Sequence, residues 1–177
     1  MPFEIVPAHV DEDGIKQSLL TEGAQPRAVA DALAELKAIR ISMSWPGVLV
    51  LGADQVLEIE GALVSKSGSM EEARALLCRL RGKSHALLTA AVLAKDGVAI
   101  WRHLASATLT MRDFSDRFLD EYLAGEGEEI LGGVGCYRLE GRGLQLFSRI
   151  DGDYFAILGL PMLALLTALR GQGIIAL

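Results

Sequence analysis

The run Val48–Ala53, inside WPGVLVLGADQ, is apolar from end to end with no polar residue alternating through it. A strand of that kind has both of its faces covered, which points to a sheet carrying helices and not to a half-wet antiparallel sheet. The run leads into Gly52-Ala53-Asp54-Gln55. Read as a short strand, it delivers a carboxylate and an amide at its tip. In α/β sheets, side chains converge on ligands at the carboxyl ends of strands. The competing explanation is that an aspartate after Gly-Ala simply starts a turn.

The rest of the chain fits a mixed α/β sheet. Ala28–Ile39 places Val29, Leu33 and Leu36 on one helical face, with Pro26 near its start. Leu57–Val64 reads as a hairpin around Glu60-Gly61. Ser69-Met70-Glu71-Glu72 is a capping box, so the sequence predicts a helix over Met70–Arg81 with Gly82 just beyond it. Ser84–Lys95 and Val98–Met111 are strands joined by Asp96-Gly97, a strong two-residue hairpin signal. Ser115 caps a helix with Phe118, Leu119, Tyr122 and Leu123 on its apolar side. Gly125–Gly135 reads as a loop, and Cys136–Leu139, Leu144–Ile150 and Phe155–Leu158 as short strands. A last helix runs from near Pro161 to Gly171. Hairpins interrupt the strand–helix alternation, which favours a mixed sheet over a doubly wound one. No repeat or linker divides the 177 residues, so one domain is expected.

Composition removes several classes of function. Hydrophobic residues make up 51% and charged residues 23%, a globular balance. A net charge of −6 argues against binding a nucleic-acid polymer through a broad basic face. Cys78 and Cys136 stand alone without CxxC spacing, so neither a zinc site nor a disulfide framework is expected. The opening MPFEIVPAHVDED has no signal-peptide layout, and a cytoplasmic location follows. The apolar segment Tyr154–Leu169 is short for a membrane span and is broken by Gly159 and Pro161.

Few polar residues invite chemistry. Asp54 can bind a hard cation or take a proton from water. Taken alone, Asp11 and Glu12 suit the start of a helix, where acids complement the dipole, and Lys37 and Lys66 suit a solvated surface. Gly132-Gly133-Val134-Gly135 lacks the GxxxxGK[ST] spacing of a phosphate loop. His9, His85 and His103 are spread without metal-ligand spacing and read as structural.

An ordered set of motifs adds more. PFEIVPAHVDE (2–12), ALAELKA (32–38), LGADQV (51–56), SKSGSMEEARALLCRLRGKSH (65–85), GCYRLEGRG (135–143) and IDGDYFAILGLP (150–161) follow one another as they do in the Maf family of nucleoside triphosphate pyrophosphatases. Each motif is weak alone; together they resemble that family over nearly the whole chain. The resemblance implies a mixed α/β fold related to the inosine triphosphatases, an elongated sheet flanked by helices with a central cleft. It implies cleavage of a nucleoside triphosphate to monophosphate and pyrophosphate with Mg²⁺ or Mn²⁺, and a homodimer. By resemblance Asp54 is the proton acceptor, Glu12 a second site acid that shares the metal with it, and Lys37 and Lys66 face the triphosphate.

Gln55 and Glu140 resemble the subgroup that hydrolyses 7-methyl-GTP, where many other members carry Thr and Gln and act on dTTP and UTP. A carboxylate can accept both the N1–H and N2–H donors of guanine, so Gln55 and Glu140 are expected to select the base. Two departures stand against the pattern. The family begins with a strand and a Ser-x-Ser-x-Arg-Arg loop that grips the triphosphate, and Met1-Pro2-Phe3-Glu4 aligns after it. Gly-Lys-Pro appears as Ser65-Lys66-Ser67. The expectation is therefore an N-terminally shortened family domain, with a catalytically silent nucleotide-binding or regulatory protein, or a dTTP/UTP enzyme, as alternatives.

Overall fold

The computed structural model describes residues 2–176. Among these residues six α-helices and five strands follow in the order α1 (Glu12–Thr21), α2 (Pro26–Ser44), β1 (Val50–Ile59), β2 (Ala62–Val64), α3 (Met70–Leu80), β3 (Ser84–Lys95), β4 (Val98–Met111), α4 (Asp116–Glu126), β5 (Phe147–Asp151), α5 (Tyr154–Ile157) and α6 (Met162–Gly171). Two 3-10 helices, Gly127–Gly132 and Arg142–Leu146, lie between α4 and β5. The strands form one sheet in the order β2-β1-β3-β4-β5. β1 and β2 pair antiparallel with Leu57 opposite Val64, and β4 and β5 with Thr108 opposite Asp151. The architecture is the mixed α/β one expected.

Local chemistry explains most boundaries. Glu60 and Gly61 have φ of 54° and 79°, Asp96 and Gly97 of 51° and 80°. Two successive left-handed residues make the tight turn whose twist suits a hairpin. The second turn is also tied to the chain ahead of β1: the Gly47 N–H donates to Asp96 Oδ1 at 2.6 Å, and the Gly97 N–H to Ser42 Oγ at 3.0 Å. Ser69 and Ser115 cap α3 and α4 by accepting from the Glu72 and Phe118 N–H groups.

Several expectations are corrected. β1 does not stop at Ala53 but continues to Ile59, so Asp54 sits in mid-strand and neither at a tip nor in a turn. The helix expected over Ala28–Ile39 runs from Pro26 to Ser44, since nothing breaks it before Pro46-Gly47. Cys136–Leu139 is irregular: Cys136 has φ 54°, which a strand cannot hold. Leu144–Leu146 belongs to a 3-10 helix, and the strand begins only at Phe147. Phe155–Leu158 is not a strand: Phe155–Ile157 lie in a one-turn helix and Leu158 follows as its C-cap. Asp153 caps it by accepting from the Ala156 N–H at 2.9 Å. Short apolar runs carry no periodicity that separates helix from strand, so the cap decides. The loop expected over Gly125–Gly135 holds the end of α4 and a 3-10 helix.

The chain divides into two compact units. Unit 1 holds the described residues up to Gln55, Leu88–Ala105 and the described residues from Asp153 onward; unit 2 holds Val56–Leu87 and Ser106–Gly152. In unit 1 the buried side of α2 (Val29, Ala30, Leu33, Ala34, Ala38) forms part of the core, and Leu93, Leu165 and Leu169 pack with Trp101 and Leu160. In unit 2 Leu57, Leu77, Leu80, Leu109, Met111, Leu119 and Leu146 are fully buried.

Unit 2 also buries a histidine. His85 Nε2 lies 2.7 Å from the Tyr137 hydroxyl, and the Tyr137 ring meets Phe147 edge-on at 4.9 Å. His85 Nδ1 is buried with no partner among the described residues. Burial lowers the His85 pKa from 6.5 to about 4. A base with a depressed pKa binds its proton less well folded than unfolded, so its stability contribution is complete above pH 6.5 and is lost as pH falls towards 4. At about 1.4 kcal/mol per pH unit the loss is roughly 3 kcal/mol. A melting-temperature series from pH 7.5 to 4 is expected to fall across this window and to flatten in His85→Gln; equal slopes in the two proteins would remove His85 as the cause.

Candidate active site

Gly52, Asp54 and Val56 alternate on the buried face of β1. At Gly52 that face meets α2 backbone to backbone. A Cβ there would strike the Ala34 carbonyl oxygen and lie 2.6 Å from the Ala38 nitrogen. Glycine is needed for this close approach and not for a turn; Gly52 has no positive φ. Lys37 lies one helical turn beyond Ala34, and two residues past Gly52 comes Asp54. The Lys37 ammonium therefore reaches Asp54 and donates to its Oδ1 at 2.7 Å.

The third member comes from α1. Asp11 caps this helix, accepting from the Gly14 N–H at 3.0 Å. Both acids stand at the helix start as expected, Asp11 as the cap and Glu12 as the first helical residue. Glu12 also places Oε1 2.7 Å from Lys37 Nζ, and its other oxygen lies 3.8 Å from Lys16 Nζ. Lys37 bridges two carboxylates whose oxygens are within twice that shorter distance of each other.

The electrostatics of the two partners differ. The Asp54 side chain is only 6% exposed, against 32% for Glu12. Burial pushes the Asp54 pKa above its ordinary value, and the Lys37 hydrogen bond and charge only partly offset this. For Lys37 burial alone would lower the pKa. Hydrogen bonds and charge from Asp54 and Glu12 outweigh it, so the pKa is raised and Lys37 stays an ammonium through the neutral range. Asp54 Oδ2 is buried and has no hydrogen-bond partner among the described residues. A buried, unpartnered carboxylate oxygen is costly, and together with a raised pKa it makes Asp54 a candidate for chemistry.

That oxygen sets what the site could hold. Carboxylates are hard donors, and Mg²⁺ takes one or two of them and completes its shell with phosphate oxygens and water. Asp54 and Glu12 fit that pattern. Among the described residues no group of three or more His, Cys, Asp or Glu could form an all-protein cage.

Gln55 points to the opposite side of β1. Its Nε2 donates to Thr89 Oγ1 at 2.8 Å and to the carbonyls of Ala156 and Ile157 at 3.0 and 3.1 Å. Lys66 and Glu140 belong to unit 2, and both are exposed. Lys66 lies between β2 and α3, Glu140 in the turn before the second 3-10 helix. Their segments are joined by a buried contact in which the Cys136 thiol donates to Ser67 Oγ at 3.3 Å. The Tyr122 hydroxyl donates to the Cys136 carbonyl at 3.2 Å. Sequence reasoning missed Gly52, Thr89, Ser67 and Cys136. Only Gly52 carried a usable signal, a glycine within an apolar strand.

The family model described as Maf-like protein matches residues 1–172. Proteins named nucleoside triphosphate pyrophosphatase are similar to this chain. The one from Caulobacter vibrioides is 54% identical over 171 residues, 97% of this chain and 85% of its own length. The one from Granulibacter bethesdensis is 54% identical over 167 residues, 94% of this chain and 85% of its own. The one from Paramagnetospirillum magneticum is 48% identical over 171 residues, 97% and 88% respectively. No helix among the described residues is long and apolar enough to cross a membrane.

Proposed function

This chain belongs to the Maf-like protein family, and from that membership we propose that it hydrolyses nucleoside triphosphates to the monophosphate and pyrophosphate. The observation that carries the reading is the Asp54 carboxylate: buried, raised in pKa, held by Lys37 through Oδ1 and left with Oδ2 unpartnered. A general base works best when its pKa is drawn towards the working pH, and burial draws Asp54 in that direction.

In the proposed reaction a water oxygen bonds to the α-phosphorus as the bond to the β-bridging oxygen breaks. The water proton passes to the Asp54 carboxylate, and pyrophosphate leaves with the bond electrons. Lys37 holds Asp54 in one orientation through Oδ1 and keeps a positive charge at the site. Lys66 supplies a point charge for the phosphates without demanding a fixed angle. A divalent cation, Mg²⁺ or Mn²⁺, held by Asp54 and Glu12, would neutralise phosphate charge and acidify the attacking water.

The base proposed is a guanine, with 7-methyl-GTP as the preferred substrate. Glu140 is exposed and acceptor-only, which suits the paired N1–H and N2–H donors of guanine. Methylation at N7 makes the base cationic and strengthens its bonds to a carboxylate. Pyrophosphate release from 7-methyl-GTP, GTP, dTTP and UTP with Mg²⁺ or Mn²⁺ tests this. The 7-methyl-GTP rate is expected to lead, and Glu140→Gln to lower kcat/KM for it by about 10- to 100-fold, the size of one lost charged bidentate pair. A wild-type preference for dTTP or UTP would defeat the guanine assignment while leaving the reaction type intact.

A further inference from the structure

Gln55 follows Asp54 directly, and resemblance makes it a reader of the base. Its contacts argue otherwise. The side-chain nitrogen has two protons, and three acceptors already surround it: Thr89 Oγ1, Ala156 O and Ile157 O. Two of those are backbone carbonyls, which can only accept, so the amide orientation is fixed with nitrogen towards them. The Thr89 hydroxyl gives its own proton to Ala156 O at 2.8 Å, and Thr89 is 1% exposed. The amide donors are spent inside the protein, in a small closed network that joins β1, β3 and α5.

We infer that Gln55 and Thr89 are positioning residues that clamp β1 to α5 and thereby hold the Asp54 carboxylate against Lys37. Neighbouring side chains on a strand point to opposite faces, so fixing residue 55 on one side restrains the roll of residue 54 on the other. The clamp needs a firm anchor, and α5 is one. It is capped by Asp153, and its amides from Ala156 to Leu160 all donate within the segment. Gly159, at φ 108°, and Leu160 close it. Through this clamp Gln55 influences turnover of every nucleotide alike. The catalytic part of this inference rests on the pyrophosphatase reading; the clamp itself does not.

The test uses Gln55→Met, Thr89→Val and Thr89→Ser in the full chain, with two readouts. Hydrogen exchange of the 156–160 amides reports the clamp without any substrate. It is expected to quicken in Gln55→Met and Thr89→Val, to a similar extent in the double variant, and to stay as in wild type for Thr89→Ser, which keeps the hydroxyl. Steady-state kinetics on 7-methyl-GTP, GTP and UTP report the consequence. The first two variants are expected to lose about 10- to 100-fold in kcat by the same factor on each nucleotide, with KM held within about twofold, as for a misplaced catalytic group. Two results would overturn the inference. One is unchanged exchange in both variants. The other is a Gln55→Met protein whose preference among the three nucleotides shifts while Thr89→Val keeps wild-type kinetics. If wild type turns over none of the three and dTTP no better, the pyrophosphatase reading fails, and the exchange data alone decide the clamp.

Discussion

Gly52→Ala is expected to destabilise the protein by about 3 kcal/mol, the upper range for overpacking a filled interior. The added Cβ meets the Ala34 carbonyl and the Ala38 amide nitrogen, both of them α2 backbone. Backbone cannot rotate out of the way, so α2 must move off β1. For a chain of this length, that energy corresponds to a fall in melting temperature of roughly 6–12 °C. The functional loss should exceed the loss of folded protein. Lys37 rides on α2 and Asp54 on β1, and their 2.7 Å contact depends on the spacing Gly52 permits. A displacement approaching 1 Å at a reacting group costs about 100-fold in rate. Measured well below its melting temperature, Gly52→Ala is therefore expected to retain about 1% of kcat. Ala38→Gly should not rescue it, because two of the three close contacts are to main-chain atoms. A Gly52→Ala protein with wild-type melting and turnover would refute the close-packing account.

Asp54→Asn separates stability from activity. Breaking an ordinary buried ion pair costs about 3–5 kcal/mol, because one charge is stranded. Here that cost is not expected, for two reasons. Lys37 keeps Glu12 as its partner at 2.7 Å. The folded-state pKa of Asp54 is raised, chiefly by burial, so the fold favours the neutral carboxyl. The stabilisation from an acid with a raised pKa is present below its unfolded value and is gone once pH passes the folded value. Ionising Asp54 therefore costs more in the fold than in the open chain, and a neutral isostere avoids that cost. The melting temperature at pH 7.5 is expected to hold or rise. The rate is expected to fall by 100-fold or more, since general-base catalysis alone is worth about 10²–10⁴. A destabilised but active Asp54→Asn would reverse both halves of the argument.

These two residues also show what the sequence can and cannot carry. The apolar run before Asp54 announced a strand but not one covered on both faces, since Val48 and Leu51 are 46% and 40% exposed. The capping serines and the Asp96-Gly97 turn announced their elements, because each signal is local and a few residues long. Where β1 ended was not local. Gly52-Ala53-Asp54-Gln55 looks like turn chemistry, yet Gly52 is there for α2 and Asp54 for Lys37, both set by packing between segments distant in sequence. Phe155–Leu158 failed for a related reason: four apolar residues suit a strand or a turn of helix, and the Asp153 cap is a weak signal until its bond is seen. Glu12, Lys37 and Asp54 could be picked out as a set only through motif order. Nothing in their spacing says that one lysine bridges both acids. The Gln55–Thr89 contact could not be foreseen, since it spans 34 residues and ends on backbone carbonyls that no side-chain pattern reports.

Attack of water at the α-phosphorus is tested by following oxygen and phosphorus through one reaction. The wild-type chain is incubated with 7-methyl-GTP and a divalent cation in ¹⁸O-labelled water, beside Asp54→Asn, and the products are resolved by mass. Wild type is expected to give nucleoside monophosphate carrying one ¹⁸O and unlabelled pyrophosphate, and Asp54→Asn neither at a comparable rate. Nucleoside diphosphate with labelled orthophosphate, or equal turnover by the two proteins, would contradict it.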